Sequence, residues 1–499
     1  MVKTVIADDN QSKSAEDRLF QHGIPAQVGL VIGQLNRSSD RGFVYDLIPT
    51  PPTDGGGPAC SLKSEAAGKD DKKKGSKSGK PSAELPASLV VDNDWVAEHA
   101  RQVSRMLLGG MNVVGIYLWA SEATFKATSP AVLSQAIKGV AQAAPFADNE
   151  FEERLLIHVS CSPRSRWSCR VCTLASGGLQ PCDFKMGKLL ASLQAFRCTY
   201  NFEIRLPIPQ SGILGIITFK DLICRGIANL AKDLQSAKAL INGHLVTENV
   251  HTSSESPHDV QFLVPFNKHI STEVSFKACS SEEVVGLVVF SGAICAFAYM
   301  GPREPILQAI SDLKSDIVSS LRSRLDIITD EAEEEVALSL DGGGVSGGDS
   351  LAEKSIHKLA LREVSRKQCT LFFPRRILVP WYSGIFICDY LQASETFEDV
   401  KDHCQEMMSM DGPIETTSVV DPETAPISAA TRSFWDVVHK CTSNLVNDSK
   451  TNKNSIQREA DAGKLERNNL NFLTAILVLL SALLFGWAVV AFGPTKTAY

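Results

Sequence analysis

No strong charge of either sign runs through this 499-residue chain: 57 acidic against 50 basic side chains leave a formal net charge of −7. Nucleic-acid-binding chains carry a basic patch or stripe. The one basic cluster here, Lys72-Lys73-Lys74, has Asp70 and Asp71 beside it, so nucleic acid is excluded as a partner. The opening residues, MVKTVIADDNQSKS, lack an apolar run. No secretory leader is therefore expected. Thirteen cysteines stand at scattered positions. Without a leader they are expected to be reduced cytosolic thiols.

Charge is missing altogether from one segment. Phe472 to Phe492, FLTAILVLLSALLFGWAVVAF, is 21 residues without a charged side chain. At about 1.5 Å per residue it makes roughly 31 Å of helix, enough for a hydrocarbon core of about 30 Å. A core helix would show a polar stripe, and this run has none. One transmembrane helix, 471–493, is therefore expected. Seven residues follow Phe492, so the span would insert after synthesis as a tail anchor, with 494–499 lumenal and the N-terminal bulk cytosolic. Lys450, Lys453, Arg458, Lys464 and Arg467 precede the span, and Lys496 alone follows it. This agrees with a cytosolic N-terminal side. The endoplasmic reticulum is the expected membrane, with the mitochondrial outer membrane as the alternative.

What is present is a mixed α/β pattern. Residues 27–34 and 42–48 are apolar runs of strand length. In VDNDWVAEHARQVSRMLLGG, Val96, Ala100, Val103 and Leu107 recur at helical spacing behind an aspartate cap. Gly109-Gly110 reads as the stop of that helix. Val113 to Tyr117, VVGIY, reads as a buried strand. Further helices are expected over 130–143 and 223–241, and a long one from Glu304. Its apolar face is Ile306, Ile310, Leu313, Ile317, Leu321 and Leu325. Strands are expected at 154–161, 200–208, 260–266 and 273–279, and two or three within 371–391. The Gly/Lys/Ser-rich stretch 53–86 cannot bury apolar surface and reads as a disordered insertion. Residues 330–350, acidic and then Gly-rich, read as a linker, and the polar stretch 411–470 as a stalk.

Three segments invite chemistry. Cys169-x-x-Cys172, with Cys161, Cys182 or His158, suggests zinc, but a structural site wants four ligands in compact pairs and the second pair is missing. Gly344-Val345-Ser346-Gly347-Gly348 fits a nucleophile elbow, and Asp341 to Gly344 resembles the oxyanion loop of patatin-like lipases. A separate elbow motif is absent, however, and Ser346 stands where that loop has arginine. No Gly-Lys-Ser/Thr ending follows, which excludes a Walker-type phosphate loop. The strand from Val113 resembles one that ends in two metal-binding histidines in MPN/JAMM zinc peptidases. By that register the histidine positions fall on Leu118 and Ala120, and the serine and aspartate positions on Thr128 and Ala131. A zinc hydrolase needs about three protein ligands and a carboxylate, which these residues cannot supply. No catalytic residue, metal ligand or cofactor is expected.

The run Asp92 to Tyr117, DNDWVAEHARQVSRMLLGGMNVVGIY, carries Trp95, Glu98, His99, Gln102, Ser104 and Arg105. Lesser matches are Gly29 to Gln34 (GLVIGQ), Leu240 to Gly243 (LING), Val379-Pro380, Cys388-Asp389-Tyr390 and the C-terminal span. Together they resemble the odorant-response-abnormal (protein four-like) family of tail-anchored membrane proteins. The resemblance implies an α/β (α+β) chain with an MPN-like, non-catalytic mixed-sheet domain over 1–250 and a second, smaller α/β block over 251–410. It implies a non-enzymatic adaptor at the endoplasmic reticulum. Such an adaptor assists the folding and trafficking of multi-pass membrane receptors and anchors a ubiquitin-fold-modifier-specific cysteine protease. The alternative is an MPN/JAMM-type isopeptidase or a patatin-like lipase with an altered motif. The exposed face of Asp94 to Arg105 is the expected partner surface.

Overall fold

The computed structural model describes residues 2–36, 39–63, 87–146, 152–163, 166–209, 218–247, 257–264, 284–301, 304–341, 370–382, 384–410, 414, 418–423 and 425–433. The expected strand at 273–279, the segment 342–350 with Ser346, residues 434–470 and the span from Phe472 to Phe492 lie outside them. No helix among the described residues is long and apolar enough to cross a membrane. Met1–Thr431 is one compact unit; of the second, Arg432–Tyr499, only Arg432 and Ser433 are described.

The first strands are β1 (Thr4–Asp8), β2 (Gln27–Asn36), β3 (Arg41–Pro49), β4 (Cys60–Lys63), β5 (Ser88–Val91), β6 (Asn112–Ala120), β7 (Glu153–Ser160), β8 (Arg166–Thr173) and β9 (Leu179–Gly187). Seven of them close a barrel in the order β1-β3-β2-β6-β7-β8-β9, and parallel pairing of β9 with β1 completes it. Strand β6 explains its own sequence. It pairs with β2 on one side and β7 on the other, and both its faces are covered. Val114, Tyr117 and Trp119 pack with Val31, Leu155 and the Ala15 and Leu19 side chains of helix α1 (Asp9–His22). Val113, Ile116, Leu118 and Ala120 face the opposite core, with helices α2 (Asn93–Met106) and α4 (Pro130–Ala143). A strand buried on both faces needs a continuous apolar run. Between β6 and α4 lies the short helix α3 (Glu122–Ala127).

Helix starts follow the sequence signals. Asp92 caps α2 by accepting the Trp95 N–H at 3.1 Å, and Ser129 caps α4 ahead of Pro130. Substituting such a cap typically costs about 1 kcal/mol.

The second sheet is built on a long antiparallel pair, β10 (Gln194–Pro209) and β14 (Val284–Met300). Beside them lie β11 (Lys238–Ile241), β12 (His244–Leu245), β13 (His258–Leu263), β15 (Thr370–Phe372) and β18 (Ser428–Ser433), in the order β12-β11-β13-β10-β14-β18-β15. Strands on both sides of residue 250 thus share this sheet. Helices α5 (Phe219–Ser236) and α6 (Ile306–Asp341) share its core, and Ile310, Leu313, Ile317, Leu321 and Leu325 are buried there. A ribbon of β16 (Arg375–Tyr382) and β17 (Ile385–Leu391), with helix α7 (Phe397–Met408), packs in the same core as α2 and α4.

Three polar stretches enter the fold where loops were expected. Cys60 to Lys63, inside the expected insertion, pairs with β5. Asp330 to Leu340, inside the expected linker, continues α6. The expected stalk is still in the core at Glu423 and Ile427. At Asp330 and Glu423 arginines within the fold hold the carboxylates that polarity alone would assign to water.

Glu423 shows why. Four charges lie buried together: Asp316 and Arg324 on α6, Arg376 on β16, and Glu423. The Arg376 guanidinium grips Asp316 with two bonds of 2.7 and 2.8 Å and donates a third to the Cys295 carbonyl. Arg324 donates to both Glu423 oxygens at 2.7 Å. The carboxylates also take backbone N–H groups, Phe297 on Asp316 and both Cys295 and Arg376 on Glu423. Both guanidiniums lie near the Tyr390 ring, 5.4 and 6.0 Å from its centroid. Removing one partner of a buried pair strands the other charge, at a cost of about 3–5 kcal/mol. Arg376→Met is expected to lose about that much in urea unfolding. Adding Asp316→Leu should show a coupling of about 1–3 kcal/mol; strictly additive losses would count against the cluster acting as one unit.

Candidate functional site

Helix α2 carries the densest sequence signal, and its side chains leave in three directions. Trp95 donates its indole N–H to the Pro51 carbonyl at 2.9 Å. His99 points into the core and is 3% exposed. Its Nε2 lies 2.9 Å from the Met407 carbonyl and its Nδ1 3.3 Å from the Thr50 hydroxyl. A carbonyl only accepts, so Nε2 bears the proton and Nδ1 accepts from Thr50. The ring is thus a neutral bridge from α2 to α7 and the end of β3.

The third direction is toward α6. Glu98 accepts from Gln102 at 2.6 Å and from Arg101 at 2.8 and 2.9 Å. Arg101 and Arg105 then converge on one oxygen of Asp330, at 3.0 and 2.9 Å. Burial alone would raise the Asp330 carboxyl, but hydrogen bonds from Arg105 and Arg101 hold it below its ordinary value. The Ser104 hydroxyl donates to the Arg101 carbonyl within its own helix, and the Arg105 carbonyl accepts the Cys388 thiol. These motif side chains thus all have hydrogen-bond partners within the molecule, although Arg101 and Glu98 keep 37% and 42% of their side-chain surface exposed. His99, Arg101 and Arg105 join α2 to other helices, a need that one-face packing of α2 does not reveal.

Gly109-Gly110 is more than a helix stop. The Gly109 N–H donates to the Phe297 carbonyl at 3.0 Å, and its carbonyl accepts from Tyr299 at 3.2 Å. A Cβ on Gly109 would lie 2.5 Å from the Phe297 oxygen and 2.8 Å from the Asp312 oxygen, both backbone. Gly110 adopts φ +86° with the Asp312 side chain against it. Barrel and second sheet therefore meet backbone to backbone at this step. Gln34 adds a bond across the same junction, bridging the Tyr45 hydroxyl and Asp312. Beside it opens a polar cleft of about 530 Å³, lined by Ser104, Arg105, Gly110, Asp312, Asp326 and Asp330 among others.

The zinc and peptidase positions are separated. Residues three apart on a strand point to opposite faces, and Cys169 and Cys172 lie in different cores. Cys182 pairs opposite Cys169, and His158 stacks on Phe125 while bonding the Ala120 carbonyl. Leu118 and Ala120 are fully buried, and the Thr128 hydroxyl accepts the Leu89 N–H. Among the described residues no three His, Cys, Asp or Glu side chains converge to hold a metal ion.

A second buried polar contact joins barrel and ribbon. Asp46 accepts the Tyr382 hydroxyl at 2.6 Å. Burial pushes its carboxyl up to about 6, against the lowering effect of Tyr382 and Arg18. Burial pushes the His99 imidazole the other way, down to about 4, with the Met407 carbonyl opposing. These groups have opposite linkage signs. Unfolded, His99 takes up a proton near pH 6.5 that the fold refuses until about pH 4, so its contribution to stability falls on acidification through that window. Folded Asp46 binds its proton more tightly than unfolded, so its contribution falls as pH rises from about 4 to about 6.

His99→Gln should therefore remove up to about 3 kcal/mol of acid sensitivity between pH 6.5 and 4, seen in urea midpoints across pH; an unchanged profile would sink the assignment. Gly109→Ala forces two backbone segments apart and should cost about 3 kcal/mol or more. A thermal midpoint equal to the parent's would contradict the close approach.

The model of the family described as odorant response abnormal 4-like matches residues 29–419, which include α2, the glycine junction and three of the four buried charges. The mouse (Mus musculus) "Protein odr-4 homolog" is 25% identical over 425 residues, covering 80% of this chain and 81% of its own. The Homo sapiens homolog is 25% identical over 434 residues, covering 81% and 83%. That of Dictyostelium discoideum is 23% identical over 396 residues, covering 78% and 76%. Among solved structures, that of UfSP from C.elegans aligns with a TM-score of 0.36 at 8% identity, over 84% of this chain and 58% of its own. The chain belongs to the odorant response abnormal 4-like family.

Proposed function

We propose that this protein is a non-enzymatic, tail-anchored adaptor with an MPN-like domain, held on the cytosolic face of the endoplasmic reticulum. It assists the folding and trafficking of multi-pass membrane receptors and anchors a ubiquitin-fold-modifier-specific cysteine protease there. The observation that carries the membrane part is the charge-free run from Phe472 to Phe492, long enough to span a bilayer. Family membership over residues 29–419 supports the trafficking part. The chemistry of α2 supports an adaptor: His99, Ser104 and the Glu98–Arg101–Asp330–Arg105 chain serve as structural bonds.

Cell fractionation tests the reading. The full chain should sediment with reticulum membranes, and deletion of Phe472 to Tyr499 should release it. The protease and receptor clients should copurify with the full chain and lose their membrane association when the span is deleted. A chain that stays soluble, or an anchored chain that retains neither partner, would overturn it.

A further inference from the structure

The antiparallel register of β8 and β9 sets Cys169 directly opposite Cys182. Among the described strand pairings this is the one in which two cysteines face each other. Opposed residues in an antiparallel pair have Cα atoms about 4.5–5.5 Å apart, inside the range of about 4.4–6.8 Å that a disulfide spans. Both sulfurs lie on one side of the sheet, Cys169 buried and Cys182 partly exposed, packed by Trp167 and Phe184. The ladder already holds the two residues opposite each other in register.

We propose that Cys169 and Cys182 are a redox-modifiable pair that a small-molecule disulfide converts into a cross-strand disulfide. Attack begins at Cys182, the accessible member. Its thiolate displaces one thiolate from the oxidant and forms a mixed disulfide. Cys169 then gives up its proton to solvent and attacks the Cys182 sulfur, expelling the second thiolate. The two cysteines lose two electrons and the oxidant leaves as two thiols. The neighbouring Cys169 thiol holds Cys182 below the ordinary thiol value, and Cys182 in turn raises Cys169. That order of acidity suits an attacking Cys182 and a resolving Cys169. The consequence lies in the barrel. Strand β9 completes the closure by pairing with β1, so the disulfide fixes the closing strand to its neighbour.

Oxidised glutathione added to the full-length protein, followed by alkylation and mass spectrometry of unreduced peptides, tests the proposal. A peptide joining Cys169 to Cys182, 2 mass units lighter than its two parts, is expected. It should vanish with dithiothreitol and persist in Cys224→Ser. Cys182→Ser should abolish it, and the parent alone should gain thermal stability on oxidation. Recovery of both cysteines alkylated, a glutathione adduct that persists on Cys182, or a bridge from Cys169 to another cysteine would each overturn it.

Discussion

Two arginines and two carboxylates buried between the sheet and the ribbon set the terms on which this chain can fold. Each ion loses several kcal/mol of hydration on burial. The loss is offset where every charge meets its partner and the remaining carboxylate lone pairs take backbone N–H groups. That condition ties together β14, through Cys295 and Phe297; β16, through Arg376; α6, through Asp316 and Arg324; and the later segment that supplies Glu423. A shift of any one of them strands a charge in the core. The cluster therefore fixes the register of these segments.

The barrel is tied to this assembly along a seam beside the glycine step. Gly109 meets Phe297 and Tyr299 through backbone bonds. Gln34 reaches Asp312, Arg101 and Arg105 reach Asp330, Cys388 reaches the Arg105 carbonyl, and Tyr390 lies beside both buried guanidiniums. Pieces of sequence that stand far apart and support a family resemblance, GLVIGQ, EHARQVSRMLLGG and CDY, thus gather in one place. Their shared role in this structure is to hold a barrel, a long helix and a ribbon together. A scaffold tied together in this way suits the proposed adaptor role, since partners that bind a preorganised surface lose less entropy on ordering it.

Most elements governed by local periodicity were legible in the sequence, but the helix expected over 223–241 ends at Ser236 and Lys238–Ile241 forms strand β11. Strand β6 and helices α2 and α4 follow from apolar spacing and caps, and α4 runs from Pro130 to Ala143 as its signals require. The seam was not legible, for a physical reason. Asp312, Asp316, Ser320 and Arg324 recur every four residues on α6, beside its apolar stripe, and all four are buried. A polar stripe at that spacing reads as a solvent face, because its partners, Gln34, Arg376 and Glu423, are remote in sequence. The same blindness assigned Glu423 to a stalk and Asp330 to a linker. Cys169-x-x-Cys172 misled in the opposite sense: its spacing implies proximity, but a strand sends the two thiols into separate cores.

The central claim is that the seam makes barrel and second sheet one cooperative unit. Native-state hydrogen exchange on the full-length protein tests it most directly, through the amides of Gly109 and Tyr299, which bond each other's segments across the junction. If the seam is cooperative, both amides exchange only on global unfolding, with the same opening free energy as the paired amides of β10 and β14. Exchange of these two amides by a separate, low-energy opening, while both sheets stay protected, would contradict it.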